Sequence, residues 1–97
     1  MVKVVRCHGN WSLKSIRSVH QSLLNEMNDA TAVTLDCASV TACDTAGVQL
    51  VASLFGSFAT LGRSLRISEL SLAMAQSLAR AGLTLSPSGD ELVCGGN

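Results

Sequence analysis

Aromatic side chains are scarce in this chain. Trp11, Phe55 and Phe58 are all it has, and tyrosine is absent. Its core must therefore be filled by Leu, Val, Ile, Met and Ala. Charge is sparse as well, with seven basic residues balanced by seven acidic ones. That balance leaves no basic stripe of the kind nucleic-acid binding requires, so nucleic acid is excluded as a partner. Four cysteines stand at positions 7, 37, 43 and 94 without any C-x-x-C pair, and neither His8 nor His20 lies at a metal-ligand spacing from them. No metal centre is expected. A glycine-rich phosphate loop is also missing, which removes the usual signature of a nucleotide cofactor. No stretch reads as a signal peptide or as a run of roughly 20 apolar residues able to cross a bilayer. The expectation is a cytoplasmic protein without membrane insertion, its thiols reduced and Cys37 and Cys43 serving as small core residues.

What is present is a hydrophobic fraction of 47% in 97 residues, which describes a single globular domain spanning 1–97. Lys3, Arg6, Lys14 and Arg17 all precede the first acid, Glu26. That asymmetry reads as a solvated face before it reads as a partner site.

The apolar spacing predicts alternating strands and helices. "VKVVRC" at 2–7 is β-branched and short, a strand broken by Gly9 and Asn10. Ser12 is the expected N-cap of a first helix, with Trp11 and Ile16 as a hydrophobic staple. Ile16, Val19, Leu23 and Met27 give that helix one apolar face, and Asn25, Asn28 and Asp29 end it. Ala32 to Leu35 reads as a buried central strand with Asp36 at its polar end. A loop through Ser39, Val40 and Thr41 leads to Asp44. From Thr45 to Leu61 a broad stripe (Val48, Leu50, Val51, Leu54, Phe55, Phe58, Leu61) predicts a largely buried helix closed by Gly62. Gly56 within it suggests close packing, since Gly there costs about 1 kcal/mol relative to Ala. A third strand at 64–68 precedes a helix over 70–81 with Leu72, Ala75, Leu78 and Ala79 inward and Gly82 at its end. The tail predicts a small hairpin across Pro87, Ser88 and Gly89, then a frayed Gly-Gly-Asn end. The order β-α-β-α-β-α argues for an α/β layer with a mixed, mostly parallel sheet flanked by helices.

"ACDTAG", 42–47, lies where such folds expose functional residues, beyond the carboxyl end of a central strand. Asp44 or Thr45 would serve as a helix cap. Thr45 would also serve as a phosphate acceptor: about −1.5 to −2 charges at the positive end of a helix are tolerated by the fold and repelled by Asp44 and by an acidic or apolar partner. Gly47 in the first turn points to close internal packing, and Gln49 and Ser53 to the less apolar side of the helix.

"VTLDCASVTACDTAGVQLVASL", 33–54, resembles the signature of the STAS domains, the sulfate-transporter and anti-sigma-factor-antagonist family. A hydrophobic strand ending in Asp36 is followed by Asp44-Thr45-Ala46-Gly47 opening a helix. "GRSLRISEL" and "LARAGL" extend the likeness over nearly the whole chain. The resemblance implies the STAS fold, no catalysis, and a partner-binding surface at Asp36, Asp44, Thr45, Ala46, Gly47 and Gln49. In anti-sigma-factor antagonists the hydroxyl residue after the motif Asp, here Thr45, is phosphorylated by a serine/threonine kinase that is itself the anti-sigma factor. A second branch accompanies phospholipid-transport ABC systems of the Mla type, where the partners are the ATPase and permease. "GNWSL", 9–13, is similar to that branch. STAS partners of chemotaxis or two-component systems share the "DTAGVQL" pattern. Two departures stand out: Ala46 replaces the second hydroxyl of the antagonist motif, and the N-terminal strands are short, so that the C-terminal tail is expected to supply an edge strand.

Overall fold

The computed structural model describes residues 2–94; Met1 and 95–97, and with them the expected frayed end, lie outside the described residues. The order is β1 (Val2–Trp11), α1 (Ile16–Met27), β2 (Ala32–Cys43), α2 (Thr45–Thr60), β3 (Ser64–Leu70), α3 (Leu72–Arg80), β4 (Leu83–Leu85) and β5 (Leu92–Cys94). β1, β2 and β3 form a parallel sheet in that order, and β4 and β5 form a separate antiparallel ribbon.

Alternation along the strands decides which face is buried. Val5 and Cys7, Val33, Leu35 and Cys37, Leu65 and Ile67 all point into the core. They meet Leu23 and Met27 of α1, Leu54 and Phe58 of α2, and Met74 of α3 in one cluster. The other face carries the exposed Val2, Val4 and Arg66 and the half-buried Thr34. The central strand is thus buried on one face, where a continuous apolar run suggested two.

Several expected boundaries move. Gly9 and Asn10 do not break β1. Gly9 adopts φ +79°, a backbone state open to glycine, and the register with β2 shifts between Arg6 and His8 and again between Gly9 and Asn10. Glycine in a strand here makes a bulge rather than an end. The expected loop at 39–43 is the second half of β2, paired as Ser39 with His8 and Cys43 with Trp11. Asp36 is therefore mid-strand. The register with β3 slips beside it, and its Oδ1 accepts from the Ala38 N–H at 3.1 Å.

Ser12 is not the side-chain cap of α1. Residues 12–15 make a turn in which the Ser12 carbonyl accepts from Ser15 and Ile16, and Ser15 at the cap position makes no capping bond. The other end of α1 is held from a distance: Arg63 donates to the carbonyls of Ala30 (2.7 Å) and Met27 (2.5 Å) while its guanidinium lies 4.3 Å from the Phe58 ring. Leu61 lies beyond the end of α2 and is exposed. Gly56 is exposed with open space around it, so its expected close packing is absent.

α3 presents Met74, Ser77 and Leu78 to the core, whereas Leu72 is 73% exposed and Ala79 faces solvent. Ser71, whose hydroxyl accepts from Met74 N–H, caps the helix, and Leu72 stands about 200° round the helix from the buried Met74. The tail does make a hairpin, but it adds no strand to the main sheet; its turn touches β3 through the Ile67 N–H donating to Gly89 at 2.7 Å.

Candidate functional site

The β2–α2 junction is built around one carboxylate. Asp44, in extended backbone at the N-cap of α2, accepts through Oδ1 from the N–H groups of Ala46 (2.8 Å) and Gly47 (3.4 Å). Its Oδ2 accepts from Leu13 N–H at 3.0 Å, which ties the 12–15 turn to the helix start. These donors lower the Asp44 pKa, Leu13 contributing most; desolvation, the next largest effect, opposes it, and Ala46 and Gly47 add smaller lowering contributions. The Asp44 N–H in turn donates to the Trp11 carbonyl at 3.3 Å.

Gly47 shows why the turn can close. A Cβ there would stand 2.5 Å from the Trp11 carbonyl oxygen and 2.6 Å from Cys43 Sγ. Only the missing side chain lets α2 start flush against the end of β1. The internal-packing reading of this glycine is the one the geometry carries.

Thr45 is exposed, and its hydroxyl makes no hydrogen bond among the described residues. Capping thus belongs wholly to Asp44. Gln49, one turn on, is exposed beside it, and Ala46 is half-buried. Asp36 lies apart in the middle of β2, its carboxylate turned to its own strand. Of the residues singled out by sequence, the structure gathers 44–47 and Gln49 at one helix start and leaves Asp36 outside.

Two contributors carried no motif. Ser77 donates its hydroxyl to the Cys43 carbonyl, pinning the last turns of α3 against this junction. The only trace in the sequence is a polar residue inside the apolar stripe of α3. Arg80, in the last turn of α3, shares with Thr45, Val48 and Ser77 a shallow cleft of about 300 Å³. Neither His8 nor His20 lines that cleft. Burial raises the thiol pKa of Cys43 at its edge. Among the described residues no group of His, Cys, Asp or Glu is arranged to hold a metal ion, and no helix is long and apolar enough to cross a membrane.

A parallel α/β layer with an Asp-capped helix following its central strand is the architecture of a STAS interaction domain. The chain belongs to that family: the family described as "Mlab, STAS domain" matches residues 2–87. No curated protein and no solved structure matches the chain. STAS domains are in general regulatory, protein-binding modules rather than enzymes.

Proposed function

We propose that this STAS domain is a non-catalytic docking module whose contact surface is the start of α2, with Thr45 as its switch. One observation carries the reading. Asp44 supplies the entire cap, so the exposed Thr45 hydroxyl has no structural duty and stands free for a kinase or a partner. A phosphate there would add about −1.5 to −2 charges at the positive end of α2, beside the Asp44 carboxylate and within the cleft that Arg80 shares. The fold would bear it; a partner surface that is acidic or apolar would not. Asp44, Ala46 and Gln49 frame the contact, and Gly47 sets its shape from beneath.

A second reading concerns the partner. The description of the matching family favours an accessory role in an Mla-type phospholipid-transport ABC system. The domain would then dock on the ATPase or permease, and Thr45 would be a packing contact. Pull-down from native lysate with the wild type and Thr45→Glu, read by mass spectrometry with the intact mass of the recovered domain, separates the two. A kinase retained by wild type and lost by Thr45→Glu, with a phosphorylated fraction, supports the switch. Recovery of transporter subunits with an unmodified domain supports the second reading. Equal capture of the same proteins by both variants would remove Thr45 from the contact altogether.

A further inference from the structure

α3 brings a cation to the side of Thr45. Ser77 and Arg80 lie three positions apart, on one side of that helix. The Ser77 hydroxyl donates to the carbonyl of Cys43, two residues before Thr45. This bond sets the end of α3 against the start of α2, with Arg80 about 4.5 Å of helix rise beyond it. Arg80 and Thr45 accordingly line the same cleft of about 300 Å³.

The fold uses neither of these two polar ends. Both residues are exposed, and among the described residues neither the Thr45 hydroxyl nor the Arg80 guanidinium makes a hydrogen bond or an ion pair. The other ionisable groups of the cleft are already committed. Asp44 accepts from three backbone N–H groups, and burial keeps the Cys43 thiol protonated. Among the described residues Arg80 is the one cation that lines the cleft.

We infer that Arg80 is the internal receptor for a phosphate on Thr45, pairing with it across the cleft and clamping α3 to the start of α2. The inference rests on the Thr45 switch and adds how the switched state is held. In the transfer, Thr45 Oγ1 bonds to the γ-phosphorus of a nucleoside triphosphate on the kinase. The bond to the departing diphosphate breaks, and the hydroxyl proton passes to the kinase's base. The new dianion is repelled by Asp44 on one side and attracted by Arg80 on the other. A guanidinium offers paired N–H donors that match two phosphate oxygens. Phosphorylation then withdraws both the Thr45 hydroxyl and the Arg80 cation from a partner, without disturbing the cap that Asp44 supplies.

The test installs phosphothreonine at position 45 of the full chain by genetic-code expansion and follows its phosphorus NMR signal against pH. In otherwise wild-type protein the phosphate should bind its second proton about tenfold more weakly than in Arg80→Gln, because a facing cation favours the dianion. Arg80→Lys should fall between the two, since an ammonium lacks the paired donors. The Arg80 side-chain N–H signal should move on phosphorylation. Arg80→Gln should lower the Tm of the phosphorylated chain and leave that of the unmodified chain unchanged. The inference is overturned by equal proton affinity in the wild type and Arg80→Gln, by an Arg80 signal that ignores the phosphate, or by a Tm loss that is the same with and without it, which would make Arg80 only a helix-end charge. A domain recovered unphosphorylated from the native lysate would remove the switch on which the clamp rests; intact mass reads that separately from the titration.

Discussion

Gly47→Ala and Gly56→Ala are the same substitution in the same helix, and the structure gives them opposite signs. In α2 an alanine should gain up to about 1 kcal/mol of helix propensity over glycine. At Gly56 nothing stands within 4 Å of the added Cβ, so that gain is expected almost whole. At Gly47 the new carbon meets the Trp11 carbonyl oxygen at 2.5 Å and Cys43 Sγ at 2.6 Å. Overpacking costs about 1–3 kcal/mol. The upper end applies here, because one of the opposing atoms is backbone at the end of a paired strand and cannot swing away. Setting ~3 kcal/mol of strain against at most ~1 kcal/mol of propensity leaves a net loss of about 2 kcal/mol. For a domain of this size that lowers Tm by about 8–16 °C. Urea and thermal unfolding followed by the fluorescence of the single, buried Trp11 read both stability and local geometry. If Gly47→Ala proved as stable as the wild type, or if Gly56→Ala were the worse of the two, the close approach of α2 to β1 would be wrong.

Three further outcomes follow from the same geometry. The folded-state pKa of Asp44 is depressed by its three N–H donors, so the stability it contributes is complete above the ordinary Asp value of about 3.9 and is lost as pH falls through the folded value; acid titration of the urea midpoint should be flatter for Asp44→Asn than for wild type. Leu78→Ala, at a side chain 2% exposed, should cost about 2–5 kcal/mol, whereas Leu72→Ala, at 73% exposed, should stay within about 0.5 kcal/mol, a contrast that chemical denaturation measures directly. Thiol labelling of the native protein should modify Cys94 at once and spare Cys7 and Cys37 until unfolding, because both are buried and the Cys37 pKa is raised by its neighbour Cys7 and by desolvation.

Apolar spacing, β-branched runs and turn residues located all three helices, the three strands of the main sheet and the hairpin of the tail. Short-range chemistry also marked the junction at 44–47, because a capping Asp followed by a small-residue turn is a local pattern. The faces and ends were less legible. The inward side of α3 is chosen by how the helix packs against its neighbours, and Leu72, apolar but off the face of Met74, Ser77 and Leu78, misleads any reading by hydrophobicity. Gly9 looks like a breaker until the partner strand shows that it bulges and continues.

What the amino-acid order determined by itself is the succession of elements, the family, and the identity of the residues at the start of α2, all of which rest on contacts within a few positions of one another. Which of Asp44 and Thr45 is the cap and which is free was decided only in three dimensions. The third donor to Asp44 comes from Leu13, thirty-one positions away. The same holds for Ser77 and Arg80, brought to the junction by the packing of α3.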